Sequence, residues 1–282
     1  MKLIINADDF GITEGATRAI VACHQAGTLT STTLMANMAA TEFAAARAVE
    51  NPELGVGLHF NITLGQPLSP TSEVPSLVDE QGNFFLRRDY EKRVILRKVK
   101  AADVQCELER QFACLEALGV NPTHIDSHQH AHVFPWVFDV VAAFAEQKRV
   151  AVRLPWVWRD GRVPGARMMR KLRAGMLQRM VRRNARRWAG LVPVNKSFCS
   201  FFDLPVEVEA LKVEHVKDLL AHCSDEPVEW MVHPAEIDEE LKALTRITDM
   251  SEREYALLMD PAMDALLNQL QAERVHFGNA FA

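Results

Sequence analysis

The chain holds 282 residues, 48% of them hydrophobic and 24% charged, the proportions of a globular protein with room for one large α/β domain or two small ones. A formal net charge of −5 gives no global basis for binding nucleic acid or a membrane. The five cysteines (Cys23, Cys106, Cys114, Cys199, Cys223) are odd in number and form no Cys-x-x-Cys, which argues against a disulfide framework or a thiolate zinc site.

The apolar run Leu3–Ala7 is shorter than the ~7–15 residues of a signal-peptide core, and no segment approaches the ~18 apolar residues of a membrane span. The cytoplasm is the expected compartment. Leu3–Ala7 reads instead as a strand ending in Asp8-Asp9. Thr13–Ala26 reads as a helix with Thr13 as N-cap and Gly27 past its end. A β-branched strand Thr28–Met35, an Ala-rich helix Thr41–Glu50 and a strand Gly55–Thr63 follow. Residues 64–90, with Pro67, Pro70, Pro75 and Gly82, read as a long loop, and loops of that length are often lids or rims. Val104, Leu108, Phe112, Leu115 and Leu118 keep helical spacing. Then come strand Thr123–His128, helix Pro135–Gln147, strand Val150–Leu154, a basic helical stretch over 165–189 and a helix near 205–222. Strand Val228–Val232, helix Ser251–Ala272 and a short strand around Val275 complete the pattern. Strand–helix alternation predicts a parallel sheet, and ~250 residues make one (β/α) barrel. No repeat or composition break marks a linker, so 1–282 is expected to form a single domain.

Four strand ends carry polar residues of one chemical kind. Asp8 and Asp9 leave a buried strand together, which is costly unless positive charge lies beside them. An isolated Asp-Asp is more often a cap or a turn, but this pair sits where barrel active sites assemble. In Gly55–Asn61, residues Val56, Leu58 and Phe60 take one face and Gly55, Gly57, His59 and Asn61 the other. In Pro122–His132, an extended chain would set His124, Asp126, His128 and His130 on one face at ~7 Å intervals, and dense His with Asp is the composition of a metal site. Not all four can bind one ion, so some should orient the others. His233 leaves Val228–Val232 on the face of Glu229 and Met231. Arg153 opposes Val152 and Leu154, to clamp a substrate oxygen or to neutralise the acids. Two imidazoles and one carboxylate leave coordination positions open for water and substrate. A second carboxylate can act as general base, and a His across the site can protonate a departing amine. Strict alternation sends Asp8 and Asp9 to opposite faces, so a bend at the strand end is required, with Gly11 making it cheap.

The motifs Asn6-Ala-Asp-Asp-Phe-Gly11, Thr30-Ser-Thr-Thr33, Gly57-Leu-His-Phe60, Pro122–His132 and Met231-Val-His-Pro234 resemble, in order and over most of the chain, those of the YdjC-like carbohydrate deacetylases, which include chitooligosaccharide deacetylases. The resemblance implies a distorted (β/α) barrel of the TIM type, one divalent metal ion (magnesium or zinc) and hydrolysis of N-acetyl groups. By motif position it makes Asp9, His59 and His128 metal ligands, Asp8 the general base and His233 the general acid, with Arg153 and His130 as supporting, substrate-binding residues. Family members act on different sugars, chitobiose-type oligosaccharides among them, and some belong to a branch linked to glycosylated hopanoid lipids.

Residues 159–188 carry eleven basic residues and one acid, Asp160, with Leu172, Met176 and Met180 on one helical face. A barrel helix with a solvated face, or a contact between subunits of a homodimer, is the preferred reading over contact with a membrane surface. The aromatic segment Asn195–Leu204 suits a sugar platform or core packing equally. Two other functions compete with the deacetylase: a two-metal phosphoesterase, distinguished by metal count, and a sugar-binding protein that binds without turnover.

Overall fold

The structure, a computed structural model, describes residues 1–156, 168–223 and 225–281. Its elements in chain order are β1 (Lys2–Phe10), α1 (Glu14–Gln25), β2 (Ser31–Leu34), α2 (Thr41–Glu50), β3 (Gly55–Phe60), α3 (Arg87–Ile95), α4 (Ala101–Ala117), β4 (His124–Ser127), α5 (Pro135–Lys148), β5 (Ala151–Val152), α6 (Met168–Arg187), β6 (Ser197–Cys199), α7 (His215–Ala221), β7 (Val228–Val232), α8 (Glu239–Leu244), α9 (Thr248–Leu258), α10 (Pro261–Gln269) and β8 (Glu273–Val275).

All strand pairs are parallel, in the order β5-β4-β3-β2-β1-β7-β6, with β8 beside the start of β1. The sheet curls until its edges meet. There Val152 bridges Val194, and the Asn195 carboxamide accepts from the Leu154 N–H at 2.7 Å and donates to its carbonyl at 2.9 Å. The result is the expected α/β architecture, a distorted TIM-like barrel.

Alternation along each strand divides its side chains between two environments. Leu3, Ile5 and Ala7 of β1, Val56, Leu58 and Phe60 of β3, and Val228, Trp230 and Val232 of β7 join one outer core with the helices. The opposite faces turn inward. At the amino-terminal end of the barrel the interior is closed by the end of β8 and the segment after it: Val275, Phe277 and Ala280 pack with Ile4 and Ala151. Gly55 makes room there, because a Cβ on it would come within 2.5 Å of the His276 side chain.

The long loop is pinned rather than free. Buried Glu107 of α4 accepts the N–H groups of Leu68 and Ser69, both at 2.9 Å, and Asp103 accepts that of Ser76 at 2.8 Å. Gln111 on the same helix bonds both backbone groups of Asn61. The loop also ends earlier than expected, in α3.

Other elements differ from the sequence expectations for local reasons. Helix 251–272 is two helices, broken at Pro261, which takes the first turn of α10 behind the cap Asp260. Region 205–222 holds a single 3-10 turn, Val208–Ala210, and the short α7. Strand β6 and helix α8 were not anticipated, each being too short for periodicity to register. Of the basic stretch, residues 159–167 lie outside the described residues. Helix α6 packs through Leu177, Met180 and Val181, whereas Leu172 and Met176 are 61% and 47% exposed. The expected single apolar face is therefore split. No described helix is long and apolar enough to cross a membrane.

Candidate metal centre

The carboxyl ends of β1, β3 and β4 bring together the first group of polar side chains. The bend that Asp8-Asp9 requires falls on Asp9 itself, at φ 64°, as well as on Gly11 at φ 85°, where the pairing register between β1 and β2 shifts. Aspartate is among the few side chains that tolerate this left-handed region. Asp8 keeps the inward direction set by β1, and Asp9 is turned to reach the next strands. One oxygen, Asp9 Oδ1, lies 3.1 Å from His59 Nε2 and 2.9 Å from His128 Nδ1. The donor atoms of Asp9, His59 and His128 all lie within 4.8 Å of one another, close enough to hold a metal ion in common. Burial opposes the Asp9 charge, but His128 and His59 hold its carboxyl well below the usual range.

His59 is oriented from behind. Its Nδ1 is 2.7 Å from Asp126 Oδ1, and the Thr33 hydroxyl donates to Asp126 Oδ2 at 3.0 Å. An Nδ1–H donated to a carboxylate leaves Nε2 as the free donor, the arrangement common behind metal-bound imidazoles. Burial works against the imidazolium, yet Asp126 and Asp9 lift His59 to about 10. Asp126 stands on the His-rich face expected to hold a metal, without a role assigned to it, and Thr33 lies in a quoted motif without being singled out.

Arg153 lies fully buried on the barrel axis. Nη1 contacts Asp8 Oδ2 and Asp126 Oδ2, both at 2.7 Å; Nη2 contacts Asp8 Oδ1 and Glu229 Oε1, both at 2.6 Å; Nε donates to Glu229 Oε1 at 2.7 Å. Three of these contacts are N–H hydrogen bonds, to both Asp8 oxygens and to Glu229, and the contacts to Asp126 and from Nη2 to Glu229 are ion pairs, so the guanidinium is enclosed by three carboxylates. Of the two roles expected for Arg153 the structure displays the neutralising one, since the guanidinium is fully buried and each of its nitrogens faces an acid. Burial pushes the Glu229 carboxyl up to about 8 despite Arg153, which lets one of the three acids carry a proton near neutrality. Asp8, His59 and Asp126 form a second group with donor atoms within 4.8 Å, but the guanidinium already fills the cationic position between Asp8 and Asp126.

The His-rich segment does not run as one extended face. Strand β4 stops at Ser127, and Gln129 and His130 take φ 55° in a 3-10 turn, His128–Val133. His124 and Asp126 face the interior as expected, and His128 reaches Asp9 from the turn. His130 leaves the cluster and sets its ring edge against Phe198, centroids 5.7 Å apart. There it lines a cavity of about 640 Å³ with Arg87, Gln129, Met180 and Phe202. Burial and Arg153 hold its imidazole well below the ordinary value. His132, buried, bonds the Ser127 hydroxyl through Nδ1 and the Arg153 carbonyl through Nε2 at 3.0 Å, which fixes the turn to β5.

On the other side of Asp8 stands His233, its Nε2 4.0 Å from Asp8 Oδ2. Behind it, Glu254 of α9 is fully buried, accepts the His233 backbone N–H and lies 3.7 Å from Nδ1. Burial lowers the imidazolium's stability, but Glu254, Asp8 and Asp9 outweigh it and raise His233 above its ordinary value. Glu254 was missed by the sequence reading; it lies 21 residues away on a helix, and only its burial identifies it. Phe202, from the aromatic segment, sets its ring 5.7 Å from that of His233 and lines the cavity, while Phe198 and Phe201 are buried.

Comparison with known proteins gives a consistent set of relatives. The family model described as YdjC-like protein matches residues 2–269. A carbohydrate deacetylase of Geobacillus stearothermophilus is 35% identical over 263 residues, 93% of this chain and 91% of that protein. A carbohydrate deacetylase of Brevibacillus brevis is 43% identical over 158 residues, 56% of this chain and 61% of the relative. A chitooligosaccharide deacetylase of Proteus mirabilis is 42% identical over 153 residues, 54% and 58% of the two chains. The last two alignments thus span about three fifths of the relatives' length. Among solved structures, a protein of Enterococcus faecalis V583 described as a candidate cellobiose-phosphate cleavage protein superposes with a TM-score of 0.75 at 27% identity, covering 98% of this chain and 97% of its own.

Proposed function

The chain belongs to the YdjC-like protein family, and from that premise we propose that it is a metal-dependent hydrolase, one domain spanning 1–282, that removes the acetyl group from an N-acetylated sugar. The substrate class is a chitooligosaccharide or another N-acetylglucosaminyl conjugate, and the compartment the cytoplasm. The observation that carries the reading is the single oxygen of Asp9 flanked by His59 Nε2 and His128 Nδ1, with a carboxylate and a raised-pKa imidazole directly beside it.

Asp9, His59 and His128 would hold one divalent cation, magnesium or zinc. The donor set fits such an ion: two imidazole nitrogens and one carboxylate, with His59 braced by Asp126. Bound there, the cation supplies Lewis acidity to the acyl oxygen and to a water. Asp8 takes the proton of the attacking water; Arg153 and Asn6 fix its carboxylate so that Oδ2 turns toward His233. His233, kept protonated by Glu254 and the two aspartates, gives its proton to the departing amine. The cavity beside Phe202 and His130 has room for the rest of a saccharide. His130 would bind substrate from its rim, whereas Arg153 acts by holding Asp8. The phosphoesterase alternative needs two cations about 3.5–4 Å apart, and the Arg153 guanidinium occupies the second group of donors.

The test is acetate release from N-acetylglucosamine oligomers, followed by mass spectrometry. A chelator is expected to abolish turnover and added magnesium or zinc to restore it. Asp8→Asn is expected to lower kcat about 10²–10⁴-fold with metal content near one ion per chain. Turnover indifferent to the chelator, or to Asp8→Asn, overturns the reading.

A further inference from the structure

Phe277 lies at the closed end of the barrel, away from the cation-binding donors, yet a continuous line of contacts joins it to Asp8. Its ring stacks on that of His124, centroids 4.0 Å apart and planes 13° from parallel. His124 Nε2 is 3.2 Å from Asn6 Oδ1, and Asn6 Nδ2 donates to Asp8 Oδ1 at 3.1 Å. All of these groups except the edge of the plug are fully buried. Only a glycine at 57 leaves space for the line, since a Cβ there would collide with the His124 ring.

The line has a direction. Asp8 accepts, so the Asn6 amide must present its NH₂ to it and its oxygen to His124. His124 must then carry its proton on Nε2, leaving Nδ1 bare 2.9 Å from the Thr123 hydroxyl, which also lies 3.2 Å from the Val56 carbonyl. Burial, which drops this imidazole to about 3, keeps the ring neutral and so permits only one proton on it. A reversed tautomer would turn two acceptors toward each other at Asn6.

We propose that Phe277, through His124 and Asn6, is a positioning residue for the Asp8 carboxylate, so that the C-terminal plug sets the orientation of the group that takes the water proton. Arg153 holds both Asp8 oxygens from one side; Asn6 adds a contact to Oδ1 alone, which distinguishes the two oxygens and leaves Oδ2 directed at His233. The inference rests on the reading of Asp8 as general base.

Two measurements decide it. In the metal-loaded enzyme, Asn6→Ala and Phe277→Ala are each expected to lower kcat about 10- to 100-fold, the scale of a small misplacement. KM and bound metal per chain should stay within twofold of the wild type. Phe277→Tyr, which keeps the ring, should retain activity, and Phe277→Leu, which keeps only an apolar plug, should not. The Asn6→Ala/Phe277→Ala double variant should be no slower than the slower single variant. Full activity of Phe277→Leu, or multiplied losses in the double variant, overturns the proposal. Independently of turnover, the ¹⁵N shifts of the His124 ring at pH 7 should report a protonated Nε2 and a bare Nδ1, and the opposite tautomer overturns it as well. A wild type that binds metal but releases no acetate refutes the deacetylase reading alone, because the ring shifts still decide the line.

Discussion

Arg153 shows how a buried charge can be tolerated when acids surround it on every side. Removing one partner from such a network leaves an uncompensated ion, commonly at a cost of about 3–5 kcal/mol, so the three acids and the guanidinium stand or fall together. His233 poses the complementary case, an imidazole held charged by a buried carboxylate. Its acid form persists until pH climbs through the raised value, after which the proton donor is lost. Glu254→Gln removes the largest lift on His233, so the alkaline limb of the kcat–pH profile should move to lower pH while the acid limb stays. An unmoved alkaline limb in that profile would separate Glu254 from the proton donor.

At the scale of elements, α4 has a task that hydrophobic periodicity does not reveal. Its outer-core stripe of Val104, Leu108, Phe112 and Leu115 was legible, but Asp103, Glu107 and Gln111 face the loop and satisfy its backbone. Glu107→Ala orphans the buried N–H of Ser69 at about 1–3 kcal/mol and the half-buried N–H of Leu68 at less. Limited proteolysis should then cut within 64–86 much faster than in the wild type; an unchanged cleavage rate would show that the loop holds itself. The strands were read well where alternation continues, as in β1, β3 and β7, and the inward set Asp8, His59, Arg153 and His233 followed from it. The reading of 122–132 ran past its physical warrant. Alternation holds only while the backbone is extended, and Gln129 and His130 leave that region of φ. Strand β6 has three residues, too few for a period. Glu254 and Asn195 act through tertiary contacts that no local pattern encodes. Pro261 was visible in the sequence and marks where helix 251–272 had to break.

Across the whole molecule, His124 and His132 are buried as neutral rings and His130 is half-buried as one, and this bears on the response to acid. His124 is held at about 3 and His132 at about 4, burial being the first cause for each, and His130 shifts in the same direction. Unfolded rings titrate near 6.5, so below that pH the unfolded chain takes up protons that the folded chain refuses. The rings' contribution should therefore be complete above pH ~6.5, fall by about 1.4 kcal/mol per ring per pH unit beneath it, and level off only below the folded values, with Glu229, raised to about 8, opposing one ring's share of the slope. Urea unfolding across this window should display the slope, and His132→Gln should flatten it. The depressed carboxylates of Asp9 and Asp126 lose their contribution only at lower pH, so the two effects separate on the pH axis. A flat stability between pH 7 and 4.5 would mean that the rings reach water without unfolding.

The junction between β5 and β6 carries a consequence for motion. Elsewhere around the circumference neighbouring strands share a ladder, whereas here, among the described residues, one bridge, the Asn195 carboxamide and the Trp156 indole N–H on the Asn195 carbonyl complete the ring. A hoop parts where its links are fewest, and sub-global opening of a protein likewise begins where backbone bonds are sparse. Arg153 follows directly after β5, so parting this seam exposes the guanidinium to water and loosens its grip on three acids at once; the sparsest line of the shell and its electrostatic keystone meet at one strand end.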